Sequence, residues 1–121
     1  MSLKKHAFFV GRWQSPNALH EGHIWCFEQK LKEGIPVLIG IRNVQKDEKN
    51  PHMAKEVEAL IHLRLADYIE AGLVKTLILP CDIESIVYGR EVGYKIEELV
   101  PPQEIAEISA TKLREQKNAS I

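Results

Sequence analysis

Three short apolar runs, HAFFV (6–10), VLIGI (37–41) and TLILP (76–80), are separated by segments in which apolar residues recur at helical spacing. That alternation leaves few folds open. Unbroken apolar runs of about 4–8 residues suit strands buried on both faces, and strands linked through helices lie parallel. Right-handed strand–helix–strand units around a parallel sheet, with helices on both faces, are the expected outcome, so the fold class is α/β. At 121 residues the chain has the size of one domain with its own core. No internal repeat, low-complexity tract or linker divides it, so residues 1–121 read as a single domain.

Local signals place the elements. From His23 onward Ile24, Phe27 and Leu31 keep one helical face, and Gly34 stands where a helix ends in the left-handed conformation. After VLIGI the polar stretch RNVQKDEKN is a loop, and Asn50 with Pro51 forms an N-cap and first-turn pair for a second helix. Met53, Val57, Leu60, Ile61, Leu65 and Ile69 mark its buried face, and Gly72 stops it. Beyond CDIES, residues Ile86 to Gly93 read as a short helix or turn. YKIEELV (Tyr94 to Val100) alternates as a strand does, until Pro101 and Pro102 break it. A last short helix opens at Ser109 and runs through Thr111 to Gln116.

Charge and cysteine usage narrow the function classes. With 16 Lys and Arg against 17 Asp and Glu, and no long basic stripe, a nucleic-acid partner is not expected. No stretch approaches the roughly 18 apolar residues of a membrane span, and MSLKKHAFFVGRW holds too short an apolar run for a signal peptide. Cys26 and Cys81 form neither a CxxC pair nor a disulfide framework and read as small buried hydrophobes, so the expected compartment is the cytoplasm. Phe27, and Trp25 beside it, read as core, whereas Trp13 reads equally as core or as a stacking platform.

In parallel sheets ligands bind beyond the carboxyl ends of the strands, and three segments follow strands: Gly11 to His23, Arg42 to Asn50, and Cys81 to Arg90. The first contains NALHEGHIW, in which His20 and His23 flank Gly22 at the start of a helix. One reading makes the pair a helix cap and a solvent contact. As zinc ligands they supply only half of a tetrahedral shell, without paired cysteines or HExxH spacing, so no protein-held metal is expected. Another reading follows from position, because a helix N-terminus offers unpaired N–H groups and a positive dipole end to phosphate. Gly22 would let a phosphate approach the backbone, and two imidazoles could donate to phosphate oxygens as charge builds during transfer. Such a site is a phosphate clamp.

HEGH (His20 to His23) resembles the HxGH motif of the nucleotidyltransferase superfamily, and GRWQ (Gly11, Arg12, Trp13, Gln14) resembles the GRFQ opening of the same proteins. ISATKLRE (Ile108 to Glu115) looks like their ISSTxIR signature. IGIRNVQKDEKNP (Ile39 to Pro51) looks like the loop after the second strand in small nicotinamide-mononucleotide adenylyltransferases. The resemblance spans nearly the whole chain. It implies a Rossmann-like three-layer sandwich with a parallel sheet of about five strands. It also implies transfer of a nucleoside monophosphate, most readily AMP from ATP, to a small phosphorylated acceptor. Pyrophosphate is released, Mg2+ accompanies the nucleotide, and no covalent enzyme intermediate forms. By matching positions, His20 and His23 contact the triphosphate and stabilise the transition state, Ser109 and Thr111 hold the β- and γ-phosphates, and Arg114 neutralises their charge. Ile108, Gly11, Arg12, Trp13, Gln14 and Gly22 complete the nucleotide site. Arg42, Gln45 and Lys46 are acceptor-side candidates, Lys46 with a catalytic role; a solvated loop is the other reading for this charged run. Small members of the family are often dimers or larger, which allows a homo-oligomer.

The sequence also departs from that pattern. In the form GRFQPFHxGH the first histidine follows the glycine by six positions, whereas His20 follows Gly11 by nine, with SPNAL in the link. QSPNALHEGH keeps the spacing of the ATP sulfurylase motif QxRNPxHxxH with Gln14, Asn17, His20 and His23 in register. Pro16 replaces its arginine, however, and Ala18 its proline. SIVYGREVGY (Ser85 to Tyr94) resembles small nucleotidyltransferase domains found beside adenylylsulfate kinases, which puts Arg90 and Asp82 near the nucleotide, a loop ion pair being the alternative. Two other functions stay open: a cytidylyltransferase using CTP, and a nucleotide-binding module that has lost turnover through the altered loop.

Overall fold

In the computed structural model, which describes residues 4–90, 93 and 95–106, the three apolar runs pair as a parallel sheet. Strands β1 (Ala7–Gly11), β2 (Val37–Ile41) and β3 (Val74–Ile78) lie side by side in that order. Register aligns Ala7 with Val37 and Val74, Phe9 with Ile39 and Thr76, and Gly11 with Ile41 and Ile78. Because side chains alternate along a strand, these residues share one face.

That face carries the core. Helix α1 (Glu21–Lys32) lays Phe27 against Phe9, ring centroids 5.0 Å apart and edge to face. Helix α2 (Ala54–Arg64) adds Val57 and Ile61, and its Glu58 and His62 bond the Thr76 hydroxyl on the same face. Both crossovers lie on one side, as two right-handed connections stepping the same way across a sheet require. Phe27, Ile39 and Ile61 are fully buried, and each such side chain contributes about 1.5–3 kcal/mol.

The opposite face corrects the sequence reading. Phe8, Leu38 and Leu77 point away from α1 and α2, and Phe8 and Leu77 stay 52% and 45% exposed. The Phe8 ring lies over Gly40, where a Cβ would come within 2.7 Å of it. Among the described residues the protein is therefore α/β with a three-stranded parallel sheet and helices packed on one face. Runs as apolar as VLIGI imply cover on both faces, but part of that cover here comes from a neighbouring strand's phenyl ring over a glycine.

Helix ends follow the glycines. Glu33 caps α1, Gly34 has φ +78°, and the N–H groups of Gly34 and Ile35 donate to the Leu31 and Lys30 carbonyls, each at 3.0 Å. This is the Schellman arrangement. Gly72 (φ +76°) repeats it after α3 (Ala66–Glu70), with bonds to Ile69 and Tyr68. The second helical segment does not run unbroken to Gly72: it turns at Leu65 (φ −113°, ψ 28°), which is buried. Its N-cap is Met53, not Asn50, and the Glu56 carboxylate accepts the Met53 N–H at 3.4 Å. Asn50 lies in a loop whose Asp47 carboxylate takes the Lys49 and Asn50 N–H groups.

Strand β3 begins at Val74 rather than Thr76, because Val74 is the residue that pairs with Val37. Residues 86–90 form neither a helix nor a strand, and residues 95–100 form no strand, although their pattern alternates. Glu97 binds Lys30 of α1 at 2.6 Å, and Ile96 and Val100 are exposed, so this stretch is held by side chains and not by a strand partner. A short helix, α4 (Gln103–Ala106), contacts α1. The helix expected from Ser109 to Gln116 lies outside the described residues. No described helix is long and apolar enough to cross a membrane.

Candidate functional site at the start of helix α1

The N-cap of α1 is His20. Its Nδ1 accepts the Gly22 N–H at 3.0 Å, and Nδ1 of His23 accepts the His20 N–H at 3.1 Å. The two imidazoles thus build a reciprocal capping box, a task usually shared by Ser or Thr with Glu or Gln. Their rings stack, centroids 3.7 Å apart and 19° from parallel.

That geometry sets the protons. A main-chain N–H can only donate, so each Nδ1 is an unprotonated acceptor and each neutral ring carries its hydrogen on Nε2. No described residue hydrogen-bonds either Nε2. Among the described residues only the Ser15 hydroxyl is a buried side-chain polar atom without a partner, so both Nε2–H groups reach the surface. Burial lowers the pKa of His20, against a smaller upward pull from Glu21. Burial, and then the neighbouring His20, bring that of His23 down to about 3. At neutral pH the site presents two uncharged donors beside a helix N-terminus.

The β1–α1 loop holds this pair from behind. Trp13 is buried, donates its Nε1–H to the Gly40 carbonyl at 3.0 Å and meets His23 edge to face at 4.9 Å. Its indole covers Gly11, where a Cβ would come within 3.0 Å of it, so Gly11 makes room for Trp13. Of the two readings of Trp13, core is the one that its burial fits. Gly22 also changes role. A Cβ there would lie 2.8 Å from the His20 ring and 3.7 Å from Ile105, so the glycine admits an imidazole where a phosphate was expected.

The lengthened link folds on itself. Ser15 and Ala18 exchange two main-chain hydrogen bonds, 3.3 and 2.8 Å, with Pro16 and Asn17 at the corners and Ala18 at φ 69°. Gln14, 4% exposed, donates to the Arg12 and His52 carbonyls at 3.0 and 3.1 Å and accepts the His52 N–H at 2.8 Å. The His52 ring bonds the Ser15 carbonyl through Nε2 at 2.8 Å, and Arg12 donates to the Asn50 side chain at 3.2 Å. Gln14 therefore ties two loops together, and Arg12 alone of this pair is exposed.

The remaining candidates divide. Arg42 pairs with Asp82 at 2.9 Å and donates to the Ile83 carbonyl at 3.3 Å, and the Arg42 guanidinium holds the Asp82 carboxyl below its usual range. Lys46 reaches Glu56 at 3.5 Å, and Glu56 lies 3.8 Å from His52. Gln45 and Arg90 are exposed, and neither is brought to the histidine pair by a hydrogen bond. Ile108, Ser109, Thr111 and Arg114 lie outside the described residues. His52 and Ile105 went unread in the sequence, where nothing marks a loop histidine or an isolated isoleucine, Asn50 was read only as a helix cap, and Glu56 became the third residue of α2 only once Met53 proved to be the cap. No group of three His, Cys, Asp or Glu among the described residues is placed to hold a metal ion. No family model matches the chain, and no curated protein or solved structure matches it either.

Proposed function

We propose that the chain is a nucleotidyltransferase, transferring AMP from ATP to a small phosphorylated acceptor with release of pyrophosphate; the reaction and the nucleotide are what the HEGH and ISATKLRE resemblances imply, and the site supplies donors suited to phosphate oxygen. The full fold in this reading is a Rossmann-like sandwich of about five strands, three of which are β1, β2 and β3. The observation that carries it is the paired cap: two neutral imidazoles, each with Nδ1 committed to the backbone and Nε2–H turned outward. Fixed donors of this kind suit the negative oxygens of a triphosphate and need no reorganisation as charge develops.

In the reaction an oxygen of the acceptor phosphate attacks the α-phosphorus of ATP. One P–O bond forms, the bond to the α–β bridging oxygen breaks, and pyrophosphate departs with those electrons. His20 and His23 hold the triphosphate oxygens, and Ser109, Thr111 and Arg114 take the outer phosphates. Lys46 and Gln45 face the acceptor, while Arg42 is spent on Asp82 and orders the loop after β3. The donors around the histidine pair are N–H groups that suit phosphate oxygen, so Mg2+ fits as the companion of the nucleotide rather than as a protein-caged ion. When bound with the phosphates it supplies charge neutralisation.

The test is calorimetric titration with MgATP and MgCTP, paired with phosphorus NMR of pyrophosphate release across phosphorylated acceptors. ATP preference with turnover is the expected result, and His23→Ala should lower turnover by about ten- to a thousandfold with the fold intact. CTP preference would move the reading to cytidylyl transfer. Binding without pyrophosphate release would leave a nucleotide-binding module, and binding of neither nucleotide would remove the function altogether.

A further inference from the structure

We infer that His52 is a positioning residue: by stapling the closed Ser15–Ala18 turn to the start of α2, it fixes where the histidine pair stands. The inference rests on the proposed use of that pair as a phosphate clamp. The mechanical path is short. His52 holds the turn at two points, through Nε2 to the Ser15 carbonyl at 2.8 Å and through its main chain to the buried Gln14 amide at 2.8 and 3.1 Å. The turn is closed by its own two hydrogen bonds, and Leu19 N–H bonds back to the Asn17 carbonyl at 2.9 Å. Ala18 and Leu19 are buried, so the stretch from Ser15 to His20 has little freedom except to move as a unit. Next to Gln14, Trp13 bears directly on the His23 ring. Both imidazoles therefore rest on a loop whose outer side is anchored by His52 and by the Arg12–Asn50 bond.

The anchor also explains how the lengthened link can coexist with a fixed site. Extra residues in a loop ordinarily add freedom. Here they are folded into a turn, and the Ser15 carbonyl that accepts the turn's own Ala18 N–H also accepts from the His52 ring.

The experiment uses the full chain and inorganic tripolyphosphate with magnesium as the probe. His52→Ala removes the staple and is expected to weaken tripolyphosphate binding about tenfold, the effect of one lost hydrogen bond transmitted to the site. His52→Gln keeps an N–H donor of similar reach and should recover most of that loss. The second readout needs no ligand: nitrogen NMR of the imidazoles should show sharp Nε2–H tautomers for His20 and His23 in the wild type and exchange-broadened signals in His52→Ala, at unchanged helix content. Unaltered imidazole signals in a folded His52→Ala would overturn the positioning role, whatever the ligand. If the wild type does not bind tripolyphosphate but His52→Ala does broaden those signals, the clamp function fails and the positioning role stands.

Discussion

An imidazole at an N-cap position is unusual, because Asn, Asp and Ser satisfy the exposed N–H groups with shorter side chains. What His20 adds is a second nitrogen. Once Nδ1 has accepted the Gly22 N–H, Nε2–H remains on the far side of the ring, and His23 repeats the arrangement. The conflict at Gly22 gives a prediction that depends on the background. Alanine normally favours a helix over glycine by about 1 kcal/mol. In the wild type, however, the new methyl would meet the His20 ring at 2.8 Å. The ring must then leave the Gly22 N–H, with the loss of a cap worth about 1 kcal/mol. Gly22→Ala is expected to leave the wild type about as stable, gain and loss offsetting each other, and to raise stability by about 1 kcal/mol in a His20→Ala background, measured by urea unfolding. Stabilisation in both backgrounds would mean that His20 is not the cap. The histidines and Gly22 were legible as a unit from their spacing. The reason for the glycine was not, since it depends on the rotamer of a side chain two residues away.

At the level of the element, the cap makes α1 sensitive to acid. The folded-state pKa of His23 lies near 3 and that of His20 is also lowered, whereas an unfolded histidine titrates near about 6.5. Between those values the unfolded chain binds protons that the folded chain refuses, so the contribution of the pair is full above pH 6.5 and is lost as pH falls toward 3. Protonation also converts each Nδ1 from acceptor to donor, which opens the capping box. The urea midpoint is expected to fall steadily from pH 7 to pH 4, and His23→Gln should flatten that slope. An equal slope in the variant would assign the acid sensitivity elsewhere. Helix ends of the other kind were readable: Gly34 and Gly72 sit in the left-handed conformation because no other residue takes it so cheaply. Helix starts were not. Asn50 has the right chemistry for a cap, but tertiary bonds from Arg12 and Asp47 recruit it to the loop, and the helix begins after Met53.

At the scale of the whole molecule, the parallel pairing follows from the alternation of apolar runs and helical segments, and the three strands were legible within two residues, whereas their order and the one-sided cover were not. Nor was the segment after β3. Alternation alone cannot supply a neighbour for the backbone of residues 95–100, and the segment is instead tied to α1 by Lys30 and Glu97, 2.6 Å apart across 67 positions. This pair has a consequence for the site, because the same segment leads into α4, whose Ile105 touches the start of α1 at Gly22. Exposed ion pairs are weak and screened by salt, so the expected effect is small and salt-dependent. Glu97→Lys should weaken MgATP binding by no more than about fivefold at low salt, and the charge-swapped pair Lys30→Glu with Glu97→Lys should restore it. Slower amide exchange at Ile105 in the swapped pair than in the single variant would show that docking of α4 is the quantity being restored. Equal affinity in all three proteins would mean that residues 95–106 reach α1 without help from this pair, leaving the contact of Ile105 with the start of α1 to dock α4.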